Sequence, residues 1–161
     1  MSLKQRISIM QKSTTKTAGF AAFAVIVILA GIQLVPYGRK QSNPPIIREP
    51  AWNSPETRAL AKRACFDCHS NETVWPWYSR VAPVSWLIQW DITNGRNELN
   101  FSEWQNGVQE GENPKKINEE LLEGEMPPLQ YTLMHAESRL TKQERQQLAD
   151  GLTATATHTN R

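Results

Sequence analysis

Cys65-Phe66-Asp67-Cys68-His69 holds both cysteines of the chain, and a histidine follows the second at once. Two residues between the thiols and an adjacent His make the spacing for c-type haem attachment. Each thiol can add to one vinyl group of haem, and on a helical turn His69 presents its imidazole to the iron from the same side. A thioredoxin-like redox pair shares the CxxC spacing but needs a βαβ context, and no convincing strand pair is visible. Half a zinc site would have only His69, His135 and His158 as further nitrogen ligands, with no second copy of the spacing. A plain local disulfide is the remaining alternative. Haem is the reading favoured by the sole use of cysteine here, the immediate His and the signs of export below.

Outward from this motif, helix signals dominate. Ser54-Pro55-Glu56 reads as an N-cap, a proline at the first helical position and an acid in the first turn, opening a helix to about Cys65. Residues 71–79 contain Pro76 and turn formers and should be irregular. Pro83 opens a second helix that should stop at Gly95, with Trp86 and Trp90 at i,i+4. A shorter helical stretch is expected around Trp104. Asn113-Pro114 starts another helix, ended by Gly124. Glu125-Met126-Pro127-Pro128 cannot be helical. Thr141 and Glu144 form a capping box for a last helix over roughly 142–152. The class is all-α, a small domain with long loops.

The sixth position on a haem iron held by one His has four candidates: Met126, Met134, His135 and His158. Met126 sits in a proline-locked loop that would hold a thioether in place at little entropic cost, so Met126 is the preferred second metal ligand beside His69. His135 is the runner-up. His158 lies in a polar tail expected to be disordered. Trp75 and Trp77 follow the attachment site, where large aromatics can wall haem from water. Tyr78, Arg80 or a Trp N–H could bond a haem propionate. Trp86, Trp90 and Trp104 are read as packing residues. A backbone carbonyl near Pro76 or Pro83 is expected to accept the His69 Nδ1–H.

The chain has 161 residues, 39% hydrophobic and 21% charged, with a net charge of +2. That is one domain's worth, and the charge excludes a strongly basic nucleic-acid binder. The charge is uneven: every acid lies at Glu49 or later, while Lys4, Arg6, Lys12 and Lys16 precede an apolar run. Residues 18–35 read AGFAAFAVIVILAGIQLV, with only Gln33 polar. As a helix this run is about 27 Å long at ~1.5 Å per residue, near the ~30 Å of a bilayer core. The basic flank predicts residues 1–17 in the cytoplasm; the length of the run and the lack of a small-residue cleavage site after it favour an uncleaved single-pass anchor over 18–35, with a cleaved signal peptide as the alternative, then a proline-rich linker over 36–50 and a periplasmic domain over 51–161. From Pro50 onward there are 11 Lys/Arg and 15 Asp/Glu, a mildly acidic body with a net of −4.

Several further segments run in the same order as a known pattern: Cys65 to Thr73, Trp75-Pro76-Trp77-Tyr78, Ala82 to Trp86, Leu99 to Trp104 and Gly124 to Pro128. Together they resemble the haem-binding domain family of cytochrome c-like bacterial proteins, over about Trp52 to Leu152. The CxxCH-SNET-WPWYS run is the specific part. The resemblance implies a monohaem c-type protein, membrane-anchored or periplasmic, with the cytochrome c topology of an early cysteine-bearing helix crossed by a final one. The expected function is electron transfer to or from a redox partner protein, with one covalent haem c and no enzymatic step. The alternatives are a haem-based sensor or peroxidase-like enzyme with an open sixth site, for which His135 is the candidate distal base, and a haem-bearing structural subunit of a larger complex.

Overall fold

In a computed structural model the protein is described over residues 3–105 and 108–159, with side chains placed over 16–105 and 108–157. Among the described residues it is helical, with one isolated parallel bridge between Arg48 and Glu103 and no strand. Helix α1 spans Leu3–Ile32, α2 Pro55–Ala64, α3 Phe66–His69, α4 Val84–Glu98, α5 Pro114–Leu122, α6 Leu129–Met134 and α7 Lys142–Thr159.

Local chemistry accounts for most of these boundaries. Ser54 caps α2 by accepting from Thr57 N at 3.2 Å, and Pro55 sits at the first turn, where its missing N–H costs nothing. Asn113 caps α5 through Lys115 N at 2.9 Å. Thr141 N donates to Glu144 Oε2 at 2.8 Å while Glu144 N donates to Thr141 Oγ1 at 3.1 Å, the reciprocal capping box at the head of α7.

Expectations are corrected at the end of α4, at 101–104 and at His158. The apolar run over 18–35 lies on α1 as far as Ile32, the helix itself beginning earlier, and tighter turns close residues 33–35. Among the described residues no helix is long and apolar enough to cross a membrane. Helix α4 passes Gly95 and continues to Glu98. Residues 101–104 form no helix, because their backbone is spent on tertiary bonds: Phe101 N donates to His69 O at 2.8 Å and Trp104 N to Arg48 O at 3.0 Å. The backbone of His158 is helical, within α7, and its side chain lies outside the described ones. Residues 71–79 are irregular as far as a short 3-10 turn over Trp77–Arg80.

The segment 36–50, expected as a linker, is extended and strapped along the body. Asn43 Nδ2 donates to Thr73 O, Asn71 Nδ2 to Pro45 O, and both Ile47 N and Arg48 N to Ser102 O. Glu49 is held by Arg58 and Trp52.

Helix α7 packs against α2 and α5, and α3 against α4. The core between them is Ala61, Phe66, Phe101, Trp104, Ile117, Leu121, Leu148, Ala149, Leu152 and Ala156. Phe101 stacks on Phe66 at 5.4 Å and on Trp104 at 6.2 Å, and Trp52 tilts against it at 5.2 Å. Such aromatic pairs add about 0.5–1.5 kcal/mol each beyond their buried area. This stack carries the segment next to His69 into the core, where Phe101 also faces the cleft described next.

Candidate functional site

The cysteine motif occupies a tight corner. Cys65 ends α2, its N–H bonding Ala61 O at 2.8 Å, and the chain restarts as the single turn of α3. Both thiols are free. Burial pushes Cys65 up to about 12, with Cys68 adding a smaller push. Burial also pushes Cys68 up to about 12, followed by the negative charges of Asp91 and Asp67. Both sulfurs are therefore neutral thiols at physiological pH.

His69 is fixed by α4. Its Nδ1 lies 2.9 Å from Gly95 O and 3.1 Å from Leu99 O. Carbonyl oxygens only accept, so Nδ1 carries the proton and Nε2 is left with a free lone pair. Burial holds the imidazole below the usual histidine value, outweighing those two bonds, which act the other way. A neutral ring with its far nitrogen committed to a backbone carbonyl is the state in which histidine ligates metals. The expected carbonyl near Pro76 or Pro83 is not the partner. The partners are Gly95 in the last turn of α4 and Leu99, its C-cap; Gly95 O also accepts from Leu99 N at 2.9 Å, and this end of the helix carries the negative pole of its dipole.

Cys65, Cys68 and His69 line a cleft of about 330 Å3 together with Met126, Pro127 and Pro128 from the loop between α5 and α6. Two structural ties set that loop. Met126 N donates to Glu120 O at 3.0 Å. Arg145 of α7 donates through one terminal nitrogen to Met126 O at 2.6 Å and to Leu121 O at 2.8 Å. The rest of the wall is mainly apolar: Ala64, Leu99, Phe101, Ile117, Leu121 and Leu152, with Trp90 and Tyr131. Asp91, Glu98, Lys116 and Glu120 supply charge to it. Burial raises the Asp91 carboxyl above its usual value.

The other expected contacts lie elsewhere. Trp75, Trp77, Tyr78 and Arg80 do not line this cleft. Trp77 is 81% exposed, and Arg80 Nε bonds Gln41 Oε1 at 3.0 Å. Tyr78 Oη sits 2.9 Å from Nε2 of His135. That leaves His135 engaged at both nitrogens, since Nδ1 is 3.2 Å from Glu137, and its ring stacks on Tyr131 at 4.4 Å. Neither His135 nor Met134 reaches the cleft wall. Trp90, read as a packing residue, is 59% exposed and stands on the cleft wall, whereas Trp104 is fully buried.

Tyr131 is the cleft residue that sequence reasoning missed. Its hydroxyl donates to Asp67 Oδ2 at 2.7 Å, so the acid between the two cysteines ties α6 to the cysteine motif. Burial, then the Asp67 charge, raises the Tyr131 phenol and keeps it protonated. Nothing in the local pattern around either residue signals this pairing, which spans 64 positions.

Two thiols, a tautomer-locked imidazole and a thioether on one largely apolar cleft are a donor set that fits haem: sulfur for the vinyl groups, nitrogen and soft sulfur for the iron, and apolar walls for the macrocycle. These features define a haem protein, and the sequence match agrees. Residues 27–154 match the haem-binding domain family, so this chain belongs to it. No curated protein and no solved structure gives a significant match.

Proposed function

We propose that this protein is a membrane-anchored monohaem c-type cytochrome with the cytochrome c-like helical topology, carrying electrons on the periplasmic side of a bacterial inner membrane. The observation that carries the reading is the shared cleft: Cys65, Cys68, His69 and Met126 meet on one apolar surface although Met126 comes from a different loop. When bound, haem supplies an iron that exchanges one electron between ferric and ferrous states. Cys65 and Cys68 would each hold the macrocycle through a thioether bond to one vinyl group, a redox-neutral addition in which the thiol proton goes to the other vinyl carbon. His69 offers Nε2 to the iron, held in aim by the Gly95 and Leu99 carbonyls. Met126 offers its thioether from a loop pinned by Arg145. The apolar walls keep water away, which favours a high reduction potential together with His/Met ligation.

The anchoring part of the reading rests on α1. Phe20, Phe23, Val25, Ile26, Val27, Ile28 and Leu29 are all exposed, an apolar surface that the fold itself does not cover. With the basic residues before it, this helix suits a bilayer with the N-terminus in the cytoplasm. An open-site sensor or peroxidase gains no support, because His135 is occupied by Tyr78 and Glu137 away from the cleft.

The test is maturation in a host that attaches haem c. A denaturing gel stained for haem should show one covalent haem per chain, lost in the Cys65→Ala/Cys68→Ala variant. A fully exported, colourless protein would overturn the reading.

A further inference from the structure

We propose that the face made by the end of α1, the turn at 77–81 and the start of α4 rests in the interfacial layer of the bilayer, so that the body lies against the membrane instead of hanging from a free tether. The inference deepens the anchoring reading above and rests on it.

Helix α1 does not lead into a loose spacer. Gln33, the first residue beyond it, bonds the body twice: Ala82 N donates to its Oε1 at 3.0 Å and its Nε2 donates to Ala82 O at 2.9 Å. Five residues on, the chain turns at Gly38, whose φ of +75° lies in the region that L side chains rarely adopt. Gly38 is buried, and a Cβ there would collide with the Ser85 carbonyl in the first turn of α4. These two clamps hold the exit of the apolar helix against residues 82–85.

The surface around the clamps has the composition of a membrane interface. Leu34 and Trp77 are both 81% exposed, and Tyr37, Val81, Val84 and Leu87 are exposed as well. Trp and Tyr favour the headgroup level, where a ring is half apolar and half wet. Arg39, Lys40 and Arg80 are exposed on the same two segments. Neither 33–48 nor 73–90 contains a single Asp or Glu, although the body is acidic overall. An acid-free, basic and aromatic rim suits anionic phospholipid headgroups. The consequence reaches the haem site. Helix α4 meets the lipid at Val84 and carries the His69 partner Gly95 about 16 Å further along its axis, at ~1.5 Å per residue.

The test uses the full haem-loaded chain in phosphatidylcholine/phosphatidylglycerol vesicles, with photoreactive benzoylphenylalanine replacing exposed Trp77, and mass spectrometry of the products after illumination. Lipid adducts at position 77, several-fold above those from the same probe at exposed Gln146 of α7, are expected. A chain that floats with the vesicles but gives no lipid adduct at 77 overturns the inference and leaves the anchor standing. A protein adduct at 77 overturns it by assigning the face to a partner or a second copy. A chain that fails to float overturns the anchor reading, and the inference with it.

Discussion

His69 Nδ1 donates to the carbonyl oxygen of Gly95 at 2.9 Å, and a Cβ on that same Gly95 would fall 2.6 Å from the backbone oxygen of Cys68. The residue that aims the imidazole is thus also the residue that lets α4 lie against the cysteine turn. Gly95→Ala should force the two segments apart at a cost of about 1–3 kcal/mol. Chemical denaturation of the apo-protein measures it. An unchanged midpoint would show that the contact yields freely.

Removing the thioether separates ligation from packing. Met126→Ala in the haem-loaded protein should open the sixth position, so that the reduced form binds carbon monoxide and the low-spin spectrum is lost. Wild type should resist carbon monoxide. A variant with the parent's spectrum removes Met126 from the coordination sphere.

Arg145 bonds the two carbonyls that frame the Met126 loop. Arg145→Ala leaves Leu121 O and Met126 O without this donor, and hydrogen bonds from a charged group are worth about 1.5–3 kcal/mol. The stability loss should reach that order, and carbon monoxide should begin to bind as the loop loosens. Loss of stability with ligation intact would mark Arg145 as a purely structural clamp.

The Glu49 carboxylate ties the strap over 36–50 to α2. Arg58 donates to both of its oxygens at 2.8 and 2.7 Å, and Trp52 Nε1 adds a bond at 2.8 Å. The Arg58 bond, partly opposed by burial, holds this carboxyl below its ordinary value of 4.5. The unfolded chain therefore takes up the proton first as pH falls. The contribution is complete above about 4.5 and is lost as the pH drops from there through the lower native value. Glu49→Gln should cost about 0.5–1 kcal/mol at pH 7, the range for a partly exposed pair, and less at pH 3. Denaturation at both pH values checks it. Equal losses at the two would contradict the linkage.

With burial pushing both thiols up to about 12, the apo-protein should alkylate slowly at pH 8, well below the rate of an unfolded control. Rates that match the control would mean that the cysteine turn opens freely.

What the sequence determined by itself is local. The helix starts at Ser54, Asn113 and Thr141 follow from side chains that cap the nearest backbone N–H groups, so a few adjacent residues decide them. The CxxCH spacing and the prolines after Met126 are likewise read from adjacent residues, and the proposed haem chemistry starts from them. Only the tertiary structure decided how these pieces meet. Gly95 reads as a helix stop, yet α4 continues through it, because the missing side chain serves a close approach to Cys68. The strap over 36–50 reads as a spacer because extended backbone looks alike whether its donors meet water or a distant carbonyl. Trp77 and Tyr78 read as haem contacts by adjacency, but neither stands on the cleft wall, and Tyr131 takes a place there from 62 positions beyond His69. Such pairings depend on which surfaces the packed helices bring together, and no local pattern of residues encodes that.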